Sequence, residues 1–155
     1  MSITSSPSST GRTSKGARPH FVFIHCKIPD SQTHIDDAGA TALADALKGN
    51  TYLQVLYLGG NNIGDAGATA LADALKANTR LQTLNLRGNN IGPAGATAFA
   101  EALKGNTCLQ KLYLHGNGID DAGATALAEA LTGNPGLKHL TLRDNPVGPC
   151  DVVVF

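Results

Sequence analysis

The sequence has little of several residue types, and each shortage excludes a class of protein. Its 155 residues contain no tryptophan and three cysteines that form no C-x-x-C pair, namely Cys26, Cys108 and Cys150. An odd, scattered set of cysteines favours a reducing compartment over a disulfide framework. Apolar runs such as residues 21–24 fall far short of the roughly 20 residues that span a membrane. We therefore expect a cytoplasmic protein that makes no membrane contact.

Net charge is also missing, because 12 lysines and arginines balance 12 aspartates and glutamates. Proteins that bind nucleic acid usually show a pronounced basic stripe or patch. The sequence therefore predicts no nucleic-acid partner.

Residues 1–20 differ in composition from the rest of the chain. Nine of them are serine or threonine, three are basic, and no acidic residue occurs before Asp30. Such a stretch buries too little apolar surface to offset its ordering entropy, so we predict a disordered tail. An organelle transit peptide is the alternative, since these peptides are rich in serine and poor in acids. Pro7, Gly11, Gly16 and Pro19 oppose the amphipathic helix that this alternative needs.

What the chain does have is a repeat. The motif L-x-x-L-x-L-x-x-N recurs every 28 residues and begins at Leu53, Leu81, Leu109 and Leu137. A second string, DAGATALADALK at 65–76, returns nearly unchanged at 93–104 and 121–132. A period of 20–29 residues with this leucine spacing is typical of leucine-rich repeats. Residues 34–148 resemble the ribonuclease-inhibitor-like class of these repeats, also found in Ran GTPase-activating proteins and NOD-like receptors.

The fold class that follows is α/β, a right-handed solenoid. Along residues 53–58, Leu56 and Leu58 alternate with outward residues, as in a half-buried strand. A helical stripe of alanines and leucines then follows at residues 68–75. Each unit is thus strand, loop, helix and loop. We expect the strands to stack in parallel on the concave face and the helices to lie on the convex face.

The helix ends are also predicted. Asp and Pro suit the first helical position, which we place at Asp37, Asp65, Pro93 and Asp121, so the preceding residues Asp36, Gly64, Gly92 and Asp120 are N-caps. Asparagine tolerates the left-handed C-cap conformation, which we assign to Asn50, Asn78, Asn106 and Asn134. The other recurrent asparagines are expected to form a buried hydrogen-bonded ladder rather than a polar site, namely Asn61, Asn89, Asn117 and Asn145.

The pattern predicts four segments. After the tail come a degenerate N-terminal cap or partial repeat at 21–33, in which residues 21–26 supply a slipped strand, and the solenoid at 34–149. The full repeats are 53–80, 81–108 and 109–136. Residues 150–155 form an apolar end that either folds over the last turn or belongs to a longer array, since solenoids normally need polar caps.

The outward strand positions are the candidate binding site. Repeats 53–80 and 81–108 agree at 20 of 28 positions, yet they differ at all three outward strand positions. Exposed positions also drift when nothing restrains them, so the difference alone has two explanations. These positions are rich in Tyr and Arg, side chains that often carry interface energy, and hold no acid. We predict that they bind a protein with an acidic surface, through Val55, Tyr57, Thr83, Asn85, Arg87, Lys111, Tyr113, His115, His139, Thr141 and Arg143.

We find no pattern for catalysis, a cofactor or a metal. Residues 59–64 lack the ending of a phosphate loop. His115 and His139 would lie diagonally on neighbouring strands, which does not suit a metal site. The predicted function is protein interaction without enzyme activity. Two alternatives stay open: part of a Ran-type GTPase-activating regulator, which the resemblance implies, and a truncated repeat product without an independent role.

Overall fold

The computed structural model describes residues 20–23 and 34–148. In chain order the elements are β1 His20–Phe23, α1 Asp37–Gly49, β2 Leu53–Tyr57, α2 Asp65–Ala77, β3 Thr83–Asn85, α3 Pro93–Gly105, β4 Lys111–Tyr113, α4 Asp121–Thr132 and β5 His139–Thr141. The five strands form one parallel sheet in sequence order, and each helix packs against the next. The predicted α/β solenoid is confirmed.

The two layers differ in width, which sets the curvature. Neighbouring strands lie about 4.8 Å apart, whereas packed helices need about 8–10 Å. Stacking such units side by side bends the array toward the sheet. No helix within the described ranges is long and apolar enough to cross a membrane.

The 28-residue period places one leucine of each strand in a single buried row. Leu56 pairs with Leu84, Leu84 with Leu112, and Leu112 with Leu140. All four are at most 2% exposed. The helical stripe predicted at residues 68–75 is also buried, with Leu71 and Leu75 fully enclosed. The core is therefore one continuous layer between sheet and helices, built from the positions that repeat.

The predicted asparagine ladder at the strand ends is confirmed. Asn89 Nδ2 donates to the carbonyl oxygens of Leu58 and Leu86, at 3.0 and 2.9 Å. Its Oδ1 accepts from the backbone N–H of Ile63 at 3.1 Å. Asn89 is 6% exposed, so these bonds satisfy backbone groups that have little access to water. Asn61, Asn117 and Asn145 make matching bonds.

Asn50, Asn78 and Asn106 are the C-caps, as predicted, but the predicted left-handed conformation is wrong. Asn50, Asn78 and Asn106 are extended, with φ between −82° and −90°, and α4 is capped by Gly133 instead of Asn134. The extended backbone carries the chain from helix to strand and leaves the side chain to bond across repeats. Asn78 Nδ2 donates to Leu47 O at 2.8 Å and Asn50 O at 3.0 Å. These residues form a second amide ladder, which the sequence analysis missed.

The helices begin at the predicted residues, and their N-caps are of two kinds. Asp36 and Asp120 cap their own helices by accepting from Gly39 N and Gly123 N. Gly64 and Gly92 have no side chain that could do this.

Where the N-cap residue is glycine, a carboxylate of the preceding repeat accepts the hydrogen bonds of the helix N-terminus. Asp37 Oδ1 accepts from Gly64 N at 2.7 Å and Gly67 N at 2.8 Å, and Asp65 does the same for Gly92 and Gly95. We call this bond the cross-repeat cap. It requires close helix packing, because a Cβ on Gly67 would lie 2.7 Å from Asp37 Oδ1. Pro93, the first residue of α3, has no carboxylate that could cap α4. Helix α4 is capped by its own N-cap residue, Asp120.

The predicted slipped N-terminal strand is confirmed for residues 20–23. Val22 pairs with Leu56, and the register shifts between His20 and Phe21. This step spans 34 residues, whereas Leu56 to Leu84 spans 28. His20, which we placed in the tail, begins β1. The rest of the predicted tail and cap, at 1–19 and 24–33, lies outside the described residues, as do 149 and the apolar end at 150–155.

Candidate protein-binding face

The outward strand positions form three rows across the sheet, which together we call the strand face. The first row pairs Val55, Thr83, Lys111 and His139, and the second pairs Tyr57, Asn85, Tyr113 and Thr141. The third row, Gly59, Arg87, His115 and Arg143, follows the strand ends.

Backbone bonds keep the third row aligned. Gly60 N donates to Arg87 O at 2.8 Å, Gly88 N to His115 O at 3.0 Å, and Gly116 N to Arg143 O at 2.9 Å. These glycines have φ between +62° and +73°, a left-handed conformation that suits glycine. At the corresponding point of the last repeat Asp144 takes φ +57°. The sheet register thus continues two residues beyond the strands.

The predicted site residues are not equally accessible. Arg87, Lys111 and Arg143 are exposed, and most of the others are half-buried. Thr141 differs from the expectation of an open contact residue, since it is 6% exposed. It pairs with Tyr113, and its hydroxyl lies 3.1 Å from His139 Nε2. Thr141 therefore positions the His139 ring more than it presents a surface of its own.

Aromatic rings gather over β4 and β5. The Tyr113 ring lies 5.1 Å from the His139 ring, tilted by 54°, and 6.4 Å from the His115 ring in an edge arrangement. Such spacings fall in the range in which aromatic pairs attract. The three rings form one contiguous patch beside the cations of the strand face.

The cations of the two layers differ in their partners. On the helices, Lys48 pairs with Asp45 at 3.1 Å, Lys76 with Asp73 at 2.8 Å, and Lys104 with Glu101 at 2.6 Å. The hydrogen bond and charge of Lys104 lower the pKa of Glu101. These are the only salt bridges within the described ranges.

None of the strand-face cations, Arg87, Lys111 and Arg143, takes part in these salt bridges. The strand face therefore keeps a mildly basic character, although the chain as a whole carries no net charge.

His115 sits between two arginines of the third row. Burial lowers its pKa, as do the charges of Arg87 and Arg143, while Asp144 opposes them. Its Nδ1 atom is buried without a hydrogen-bond partner in the described structure. Buried polar atoms normally have a partner, so an orphan of this kind needs an explanation.

The structure also describes the residues considered for a metal site, a reactive thiol and a phosphate loop. In the described part of the chain no group of three or more His, Cys, Asp or Glu side chains is placed to hold a metal ion. Cys108 is a half-buried free thiol. In the glycine-rich loop at 59–64, Gly60 provides a left-handed turn out of the strand, which explains that glycine without a phosphate ligand.

Comparisons with known proteins identify the repeats. A leucine-rich repeat family model matches residues 49–72, 77–100 and 105–128. No curated protein matches the sequence.

Many solved structures are similar, and two of them are described below. The actin-binding site 2 of leiomodin-1 is 30% identical, with a TM-score of 0.65 over 72% of this chain and 64% of that one. A tropomodulin C-terminal domain from Caenorhabditis elegans is 14% identical, with a TM-score of 0.62 over 71% of each chain. This second likeness shows the fold alone. The chain spans less than two thirds of the leiomodin-1 structure.

Proposed function

This chain belongs to the leucine-rich repeat family, and we propose that it binds a partner protein through its strand face. The repeats and the leiomodin-1 likeness support a protein-binding module in general. The proposed contact residues are the eleven predicted from the sequence, with Arg87, Lys111 and Tyr113 central and Thr141 in a supporting role. The proposed role is binding without catalysis.

One observation supports the proposal. Within the described residues, basic side chains form salt bridges on the helices but not on the strand face. Each lysine of the helix repeats is satisfied by an acid three residues away. The strand-face cations form no such pairs, and they stand at positions where the repeats differ. Arginine and tyrosine are among the side chains that most often carry interface energy.

The charge of the strand face suggests the chemistry of the partner. Arg87, Lys111 and Arg143 lie on adjacent strands, with no acid among the three rows. Such a surface favours an acidic protein and speeds its association. Three cations make too small a patch for the salt-dependent binding of nucleic acid, where several phosphates are neutralised. Because leiomodin-1 is described by its actin-binding site, actin is the first partner to test.

The two alternatives predict different results. A role as part of a Ran-type GTPase-activating regulator requires residues that we cannot carry over, because no motif of this chain matches a functional residue of those proteins. A truncated product without an independent role predicts that no protein is captured through the strand face. Neither alternative is favoured by a specific contact in the structure.

Co-sedimentation with purified filamentous actin, beside pull-down from lysate, tests the proposal. The test variant replaces Arg87, Tyr113 and Arg143 with alanine, and the matched control replaces Asp73 and Glu101 on the helices. We expect the strand-face variant to weaken binding at least about tenfold, the effect of about 1.4 kcal/mol. We expect the control to bind like the unmodified chain. Loss of binding in the helix variant alone would place the partner on the helical side and contradict the proposal.

A further inference from the structure

The third row of the strand face places two guanidinium groups on either side of an imidazole. Arg87 follows β3, His115 follows β4 and Arg143 follows β5, and the backbone bonds of Gly88 and Gly116 hold them level. With strands about 4.8 Å apart, the Cα atoms of the two arginines are separated by about 10 Å. Two extended arginine side chains can therefore reach a small group held above His115.

Within the described residues, the side chains of Arg87, His115 and Arg143 make no hydrogen bond. Asn85 Oδ1 accepts from the backbone N–H of Arg87 at 3.0 Å, which fixes the main chain and leaves the guanidinium group unengaged. Neither arginine is in a salt bridge of the described structure. His115 Nδ1 is buried without a partner. Asp144 is the acid of this neighbourhood, and one acid leaves the two arginines with a net positive charge.

We propose that Arg87, His115 and Arg143 form a carboxylate-binding site, filled by an aspartate or glutamate side chain of the partner protein. The proposal rests on the proposed function and narrows it to one chemical group at one place on the strand face. Guanidinium groups present planar pairs of donors that match the two oxygens of a carboxylate. The bound acid would neutralise the local positive charge and accept hydrogen bonds from both arginines.

Proton uptake is the signature of this site. The groups that face His115 are Arg87 from one side, Arg143 and Asp144 from the other, and Tyr113 on its own strand, with His139 beyond the tyrosine ring. Burial lowers the pKa of His115, and the two arginines lower it further. A bound carboxylate opposes both arginines, so the pKa of His115 rises in the complex. Because the pKa of His115 is higher in the complex than in the free protein, binding is independent of pH above the value in the complex. Affinity then rises as the pH falls toward the lower pKa of His115 in the free protein.

The test uses NMR titration of the His115 ring in the full chain, with capped hexaglutamate as the probe. Capped hexaglutamine and inorganic phosphate are the comparison ligands. We expect hexaglutamate, and not hexaglutamine, to shift the His115 resonances and raise its pKa. The double variant Arg87→Gln with Arg143→Gln should bind at least about tenfold more weakly.

Two further variants separate the site from general charge effects. His115→Gln should remove the rise in affinity at low pH, because the titrating imidazole is gone. Arg80→Gln removes a guanidinium group from the loop before β3, where it donates to Thr51 O, and should leave binding unchanged. An unshifted His115 at saturating hexaglutamate, an equal response to phosphate, or an equal loss in Arg80→Gln would overturn the carboxylate site. The proposed function is tested separately by the alanine variant of Arg87, Tyr113 and Arg143. If that variant loses its protein partner, the proposed function stands even without the carboxylate site. If it binds the partner normally, the proposed function is wrong.

Discussion

The helix layer and the strand face are built from the same 28-residue repeat and differ in what their polar groups do. In the helix layer each lysine has an acid beside it, and each glycine-started helix receives a carboxylate from the repeat before. On the strand face Arg87 and Arg143 form no salt bridge with any residue that the structure describes, and the buried Nδ1 atom of His115 has no hydrogen-bond partner there. The difference teaches that the residues constant in every repeat serve the fold, while Arg87 and Arg143, at outward strand positions that vary, are exposed.

The strongest test of this division is a change in the buried row. Leu112 is fully buried and pairs with Leu84 and Leu140. Leu112→Ala should lower the free energy of unfolding by about 2–5 kcal/mol, because a cavity is left among closely packed neighbours. For a small domain that is a large share of total stability. Thermal melting followed by circular dichroism measures the loss. Tyr52→Ala, at a side chain 71% exposed, is the control, and equal melting points for the two variants would contradict the assignment.

A smaller loss is expected from the asparagine ladder. Asn89→Ala removes the partner of Ile63 N and of the carbonyl oxygens of Leu58 and Leu86. Unsatisfied buried groups should cost about 1–3 kcal/mol. Denaturant unfolding would show this, and the exposed neighbour variant Asn90→Ala should change stability much less. If Asn89→Ala abolished partner capture while stability stayed constant, the ladder would belong to the binding site instead.

The cross-repeat cap should have a still smaller effect, and it offers a rescue. Asp65→Ala leaves Gly92 N and Gly95 N without their acceptor, at a cost of about 0.5–2 kcal/mol, as for other helix caps. Adding Gly92→Asp to this variant imitates Asp120 and should restore much of the loss. In the unmodified chain Gly92→Asp should destabilise, because its Cβ would lie 3.1 Å from Asp65 Oδ2. Additive losses in the double variant would show that the two positions are not coupled.

The smallest effect on stability is expected on the strand face. Replacing Arg87, Tyr113 and Arg143 with alanine should change the free energy of unfolding by about 0.5 kcal/mol or less for each residue. The same variant should bind the partner more weakly and with a flatter dependence on salt, since a basic face steers an acidic one. Association rates at two salt concentrations measure this. A triple variant that unfolds would show that these residues belong to the fold and erase the distinction between the two regions.

The sequence predicts the fold well where a residue acts within its own repeat. Leucine spacing located the strands, and the aspartates and Pro93 located every helix start, because these preferences are local. It fails at the C-cap asparagines and misses the cross-repeat cap, where the bonding partner lies in another repeat. The left-handed tendency of Asn78 is a local preference, and two bonds to residues 28 and 31 positions away override it. Alternation alone predicted which residues point outward. It did not predict that Thr141 is covered or that His115 Nδ1 is orphaned, since both depend on the side chains of neighbouring strands.

The cross-repeat cap also sets a rule for how such an array can lengthen or shorten by recombination. The acceptor and the amide it serves lie on opposite sides of a repeat boundary, so the exchangeable unit runs from the first helical residue to the next N-cap. Excising 93–120 keeps Asp65 one repeat before Gly92 and Asp121 one repeat before Gly148. Each carboxylate therefore still accepts a hydrogen bond from the same backbone N–H. Excising 120–147, a segment of the same length that begins at the N-cap Asp120 instead of at a first helical residue, would set Pro93 one repeat before Gly148 and leave that amide without an acceptor.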